Sequence, residues 1–179
     1  MSEVFVVSDW HFCHNKDFLL GPRGFESVEE HNNVIIERHN SLVKPEDTVY
    51  VLGDCVLGGG ENLNSGFEFI RQMNGKKYLA IGNHDSDAKI EAYREAGLFE
   101  AIQFGYRIRF KKYEYLMTHY PTLVWNGEDP KPVWNIHGHD HDSDIFHSNY
   151  GHNYDVCLEA HNCYPVSLEQ IHADIKAHK

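Results

Sequence analysis

Nowhere do apolar residues run to the ~20 that a membrane-spanning helix needs, so neither such a helix nor a membrane partner is expected. Cysteine is sparse: Cys13, Cys55, Cys157 and Cys163 form no CxxC pair and no dense framework, which suits a reducing compartment. The opening Met1-Ser2-Glu3 lacks the basic start and apolar middle of a secretory leader, and a cytoplasmic location is expected. Positive charge is scarce, with 16 Lys+Arg against 27 Asp+Glu and a net charge of −11. That balance excludes a protein whose main work is stable binding of duplex nucleic acid, because phosphate backbones call for clustered cations. Repeats, low-complexity tracts and long linkers are missing, and 179 residues fit one domain over 1–179. With 41% apolar and 24% charged residues, global disorder is excluded. What the chain has in excess is histidine, 14 in all. Histidine is the commonest metal ligand and the usual proton carrier near neutral pH, so placement decides its meaning.

Short apolar runs break off in polar clusters. Val4-Phe5-Val6-Val7 leads into Ser8-Asp9-Trp10-His11, and residues 48–52 lead into Gly53-Asp54. Residues 78–81 lead into Gly82-Asn83-His84-Asp85, residues 115–118 into His119, and residues 133–136 into His137-Gly138-His139-Asp140-His141. Runs this short, rich in β-branched and aromatic side chains, predict strands buried on both faces. Ser27-Val28-Glu29-Glu30 and Ser167-Leu168-Glu169-Gln170 read as capping boxes, the first opening a helix to about residue 40, the second a C-terminal helix. Further helices are predicted over 65–73, stopped by Asn74-Gly75, and over 86–97. Residues 102–110 alternate and can turn at Lys111-Lys112 into a strand over 113–118 as a hairpin. The pattern is that of a mixed α/β domain in two packed sheets. Each polar cluster falls at the carboxyl end of a strand, where open α/β sheets collect ligands.

The residue types then point to chemistry. Asp9 and His11 are two apart, so on a strand they would face one cation together. Asp54 ends a buried strand, where an uncompensated carboxylate is costly and a positive partner is expected. Asn83 offers a neutral oxygen, and His119, His139 and His141 add imidazoles. A nitrogen and oxygen set without thiolate suits manganese, iron, zinc or nickel rather than a structural zinc. It is too large for one ion that must also hold substrate, and about right for two ions sharing a carboxylate, the clamp used for in-line displacement at phosphorus.

In this order, Asp9-x-His11, Gly53-Asp54, Gly82-Asn83-His84-Asp85, His119 and Gly138-His139-x-His141 resemble the five motifs of the calcineurin-like metallophosphoesterase superfamily. Within it, the chain resembles the small single-domain bacterial and phage members. The supporting features are Asp9-Trp10-His11-Phe12-Cys13-His14-Asn15, Asp47-Thr48-Val49-Tyr50, Asn74-Gly75-Lys76-Lys77 and Tyr164-Pro165-Val166-Ser167-Leu168, and the likeness runs over about 4–171. The resemblance implies a β-sandwich of two sheets flanked by helices, with the active site at the strand ends. It implies that Asp9, His11, Asp54 and His141 hold a first metal, and that Asp54 bridges to a second completed by Asn83, His119 and His139. His84 would contact the phosphate and protonate the leaving oxygen, with Asp85 orienting it. The implied cofactor is a pair of divalent transition-metal ions, manganese first, with iron, zinc or nickel as alternatives. The implied reaction is hydrolysis of a phosphate ester by in-line attack of a metal-bridging hydroxide. A diester of small or nucleotide type comes first and a phosphomonoester second. A metal-dependent scaffold without catalysis is a third reading, against which the intact His84-Asp85 pair speaks.

Other positions stay open on sequence alone. His14 either faces the site and helps bind phosphate or is a surface histidine. Arg23, in Gly21-Pro22-Arg23-Gly24, could reach an anionic substrate, but a solvated loop arginine is the expectation. Cys55 should point away from the metals into the core. Gly58-Gly59-Gly60, within the stretch 56–66, has no following Gly-Lys-Ser/Thr and reads as a flexible loop or lid near the site. His147, His152 and His161 lie in a loop-rich region that could border the cleft.

Overall fold

Strand β1 (Val4–Val7) is apolar on both sides because both sides are covered: Phe5 and Val7 enter one buried cluster and Val6 enters a second. In the computed structural model, which describes residues 2–123, 133–147, 149 and 151–178, β1 is followed by α1 (Asp17–Arg23), α2 (Val28–Leu42), β2 (Thr48–Val51), α3 (Glu61–Gln72), β3 (Lys76–Ala80) and α4 (Asp87–Glu95). The chain continues through β4 (Ala101–Gln103), β5 (Gly105–Phe110), β6 (Tyr113–Thr118), β7 (Val133–His137) and β8 (Asn153–Asp155). A 3₁₀ turn (Leu158–His161), β9 (Val166–Ser167) and α5 (Leu168–Ala177) complete it.

The first sheet has the order β4-β3-β2-β1-β9, parallel except for the β1–β9 pair, and the second has the order β5-β6-β7-β8, parallel except for β5–β6. Between the sheets lie Val6, Leu52, Ala80, Met117, Ile136 and Tyr154, joined by Ile171 and Ile175 of α5. The other face of the first sheet packs Val7, Val49, Val51 and Leu79 against Ile35 and Ile36 of α2, Ile70 of α3 and Tyr93 of α4. This is the expected two-sheet sandwich flanked by helices. The parallel strands bring the carboxyl ends of β1, β2 and β3 to one edge, beside those of β6 and β7.

Several local expectations change. β1 and β7 are buried on both faces, whereas β2 and β6 alternate buried and half-buried positions. The Ser27 hydroxyl accepts from Glu30 N at 3.1 Å as a cap should, but Glu30 reaches back to Glu26 N rather than to Ser27 N. Residues 102–110 are not one strand: β4 ends in the first sheet and the chain crosses at Phe104 into β5 of the second. The hairpin turn is correct, with Lys111 and Lys112 at φ 46° and 69°, the left-handed pair a two-residue turn requires. Helix α3 starts at Glu61 with Gly60 as its N-cap, so the glycine stretch leads directly into a helix instead of looping to residue 65. Helix α1 and strands β8 and β9 are too short to announce themselves by periodicity.

Candidate metal centre

Every candidate ligand follows a strand end, but not on a strand. Asp9, His11, Asp54, His139 and His141 have φ of 60°, 47°, 55°, 79° and 52°. This left-handed region is uncommon for side chains other than glycine, although Asp, Asn and His tolerate it best. Such conformations persist where the surroundings over-determine them. Here Asp9 N donates to Gly53 O at 3.1 Å and His11 N to Asp54 O at 2.9 Å, tying the β1 and β2 loops together. Asp9 and His11 therefore approach each other through left-handed loop residues and not through strand alternation. Two glycines permit the close approach. A Cβ at Gly82 would strike Asp54 N and its carboxylate, and one at Gly138 would overlap Ser8 Oγ and Asp9 Oδ2.

The side chains converge in two groups that share the Asp9 carboxylate. Asp9, His11 and His141 each offer a ligand atom within 4.8 Å of the others, and Asp9, Asp54 and His119 do the same. Asp54 Oδ1 accepts from His84 N at 2.8 Å, which leaves Oδ2 facing inward. That oxygen lies 3.6 Å from His11 Nε2 on one side and 3.7 Å from His119 Nε2 on the other. Beyond it, Asn83 Oδ1 stands 2.7 Å from His119 Nε2 and 2.9 Å from His139 Nδ1.

This donor set fits cations. Asp9 Oδ1 is buried without a hydrogen-bond partner, 3.5 Å from His141 Nε2 and 3.6 Å from His11 Nε2. His119 Nδ1 donates to Leu52 O at 2.7 Å, which turns Nε2 toward the Asn83 oxygen. Burial alone would raise the Asp9 carboxyl, but the neighbouring His11, His141 and His119 rings hold it well below the ordinary range. His139 is pushed down by burial and by His119. Converging lone pairs, an orphaned carboxylate oxygen and imidazoles held by their far nitrogens are what divalent ions require.

A second layer was invisible in the sequence. His141 Nδ1 donates to Glu159 Oε1 at 2.9 Å. The Glu159 side chain is buried and pairs with Arg23 Nε at 2.7 Å. Burial opposes ionisation of Glu159, but His141 and Arg23 bring its carboxyl down to about 2. Arg23 also donates to Asp9 O at 2.8 Å and Trp10 O at 3.3 Å, and lies 2.9 Å from His31 Nε2. It is neither a solvated loop arginine nor a substrate contact: it is buried and clamps the β1 loop. The Asp9 Oδ2 oxygen accepts from His139 N at 2.9 Å and from the buried Cys157 thiol at 3.2 Å. The sequence cue for Glu159 is a lone acid in the apolar stretch Cys157-Leu158-Glu159-Ala160, which carries no motif.

The remaining candidates sort by contact. His84 is half-exposed, its Nε2 3.9 Å from Asp54 Oδ2, and it lines a 370 Å³ cleft with His11, Asp54, Asn83, His139 and His141. His14 lines the same cleft, its ring 5.2 Å from that of His11, and burial with the surrounding imidazoles brings its pKa down to about 4. Asp85 departs from expectation. Its carboxylate accepts from Asp54 N at 2.9 Å, Gly82 N at 3.0 Å and the Tyr93 hydroxyl at 3.3 Å, so it braces the ligand loops instead of the His84 ring. Cys55 is buried in the core, as expected. His147, His152 and His161 do not line the cleft; His147 pairs with Asp155 at 3.0 Å and His161 lies 2.8 Å from Asp155 O. His137, Asp140 and His147 also approach within 4.8 Å of one another, but His137 Nδ1 and His147 Nε2 already face Gly138 O and Asp155 Oδ2.

A two-sheet domain with a carboxylate–histidine cluster across its strand ends defines a class of metal-dependent hydrolase. The family model for calcineurin-like phosphoesterases matches residues 3–173, and the chain belongs to that family. The chain is thus a phosphoesterase of a metal-dependent family, with this cluster as its candidate metal site. The uncharacterized protein MJ1445 of Methanocaldococcus jannaschii is 29% identical over 182 residues, covering 96% of this chain and 90% of that one. The gene 66 protein of Mycobacterium phage L5 is 29% identical over 164 residues, covering 79% and 78%. Among solved structures, the protein of unknown function AQ665 from Aquifex aeolicus shares the fold with a TM-score of 0.73, at 24% identity over 97% of this chain and 99% of that one.

Proposed function

We propose that the chain is a binuclear phosphodiesterase acting on a small or nucleotide-type ester, with manganese as the first choice of metal. One observation carries the binuclear reading: Asp54 Oδ2 lies between His11 Nε2 at 3.6 Å and His119 Nε2 at 3.7 Å, within reach of both ligand groups. Asp9, His11, Asp54 and His141 would hold one ion and Asp54, Asn83, His119 and His139 the other. Bound there, the ions would neutralise phosphoryl charge and activate water. His84, half-exposed in the same cleft, would meet the phosphate and deliver a proton to the leaving oxygen. Asp85 would act through the loops, keeping Gly82 and Asp54 in place.

A diester is favoured over a monoester because the described cleft lining contains no lysine or arginine to meet a second phosphate charge. The four cysteines are free thiols, three of them buried, which supports a reducing, cytoplasmic setting. No described helix is long and apolar enough to cross a membrane. The test is metal analysis together with hydrolysis of methyl p-nitrophenyl phosphate by stripped and manganese-loaded protein. Two ions per chain and manganese-dependent turnover are expected; saturation at one ion would defeat the binuclear model.

A further inference from the structure

We infer that the cleft takes an ester whose organic group carries a planar aromatic ring, seated against Phe18, Leu19 and Leu57 beside the ligand cluster. This rests on the phosphoesterase reading of the site and names its substrate class. The 370 Å³ cleft is unequal in chemistry. Its lining combines the polar His11, Asp54, Asn83, His84, His139 and His141 with His14 and the apolar Phe18, Leu19 and Leu57. Phe18 is 73% exposed although its neighbours Leu19 and Leu20 are buried. Its ring stands nearly perpendicular to that of His14 with the centroids 5.3 Å apart, and most of the side chain remains open. A ring of that kind adds little to the core but offers a stacking platform to a ligand.

The platform is anchored to the chemistry. Phe18 sits on α1, whose last residue, Arg23, donates to the carbonyls of Asp9 and Trp10 in the ligand loop. Leu57 is held where its amide donates to Phe12 O at 2.9 Å, next to the Phe12–Val56 bridge. The apolar wall therefore stands at a fixed place relative to Asp54 and His84, which favours binding by preorganisation. The volume is at the low end for ligand sites, enough for one ring system and a phosphate rather than a polymer. With no lysine or arginine in the described lining, ligands with additional phosphate groups leave charge unmet. The class that fits is a single-phosphate ester bearing one aromatic group, an aryl group or a nucleobase.

Calorimetric titration of the manganese-loaded protein tests this with methyl phosphate, phenyl phosphate, thymidine 5′-monophosphate and pyrophosphate. We expect phenyl phosphate and the nucleotide to bind about tenfold tighter than methyl phosphate, the effect of one aromatic stacking contact. Phe18→Ala should remove most of that advantage without changing metal content, and Phe18→Trp should restore it. Nucleotide affinity equal to or above that of phenyl phosphate would assign nucleotide esters, and the reverse order aryl esters. Equal affinity for methyl and phenyl phosphate, an equal loss for both in Phe18→Ala, preference for pyrophosphate, or no binding of any ligand would overturn the inference. Turnover of methyl p-nitrophenyl phosphate is read separately. Failure there, with ring-selective binding retained, would defeat the phosphodiesterase reading and leave the aromatic subsite standing.

Discussion

Glu159 Oε1 receives the Nδ1 proton of His141 at 2.9 Å while Arg23 Nε donates to the same oxygen at 2.7 Å. A carbonyl-clamping arginine, a buried carboxylate and a cleft imidazole thus form one chain. It fixes the His141 tautomer so that Nε2 faces Asp9 and His11, the outer-layer arrangement that orients ligating histidines.

Glu159→Gln keeps an acceptor for both donors but removes the charge. Manganese affinity at the Asp9–His11–His141 position should fall about tenfold or more, the effect typical of losing such a partner. The Asn83–His119–His139 position should be unaffected. Calorimetric metal titration of the wild type and the variant resolves the two events. Equal weakening at both positions would show that Glu159 acts through general stability.

Asp54→Asn tests the shared oxygen. Oδ2 lies 3.6 Å from His11 Nε2 and 3.7 Å from His119 Nε2, so under the proposed bridging its replacement should weaken both ions, whereas Asp9→Asn should act mainly on the His11–His141 side. Metal content after dialysis distinguishes the two. An Asp54→Asn protein that keeps both ions at wild-type affinity would remove the bridging role.

How far the sequence reaches is seen by setting Asp9 beside Glu159. The candidate ligands' types, order and location at strand ends are legible because short apolar runs stop abruptly at each of them. Their backbone was not: two-residue spacing looks the same for a strand and for the left-handed residues at 9 and 11. Glu159 and Arg23 escaped because they meet across 136 positions, and no local pattern encodes that contact. The Asp85 contacts are hidden from the sequence for a related reason. Adjacency to His84 suggested a partner, while folding gave its carboxylate to the amides of Gly82 and Asp54. Strands β8 and β9, only three and two residues long, depend on their neighbours for definition.

Stability should fall in mild acid through His39. It is buried on α2, Nε2 donating to Asn74 O at 3.0 Å and Nδ1 without a partner. Burial pushes its pKa down to about 4. The unfolded histidine titrates near 6.5, so the stabilising contribution is complete above that value and is lost as pH falls toward 4. By pH 5 the loss is about 2 kcal/mol. His39→Gln, which retains a donor, should be less stable at pH 7 but show a correspondingly shallower decline to pH 5 in urea denaturation. Parallel curves for the two proteins would contradict this.

His84 separates proton delivery from metal binding. Its backbone amide holds Asp54 Oδ1 at 2.8 Å, an interaction that a side-chain replacement leaves in place. Its ring is half-exposed and 3.9 Å from Asp54 Oδ2, in the cleft but outside the two close ligand groups. His84→Asn should therefore keep metal content near wild type. A general acid typically contributes about 10²–10⁴ in rate, so kcat should fall by that factor for an ester with an alkoxide leaving group. p-Nitrophenolate departs without a proton, and its ester should lose much less. Rates for both substrates and metal content, measured on one preparation, decide among the roles. An equal loss with both leaving groups would make His84 a phosphate-binding residue, and depletion of a metal would make it a ligand.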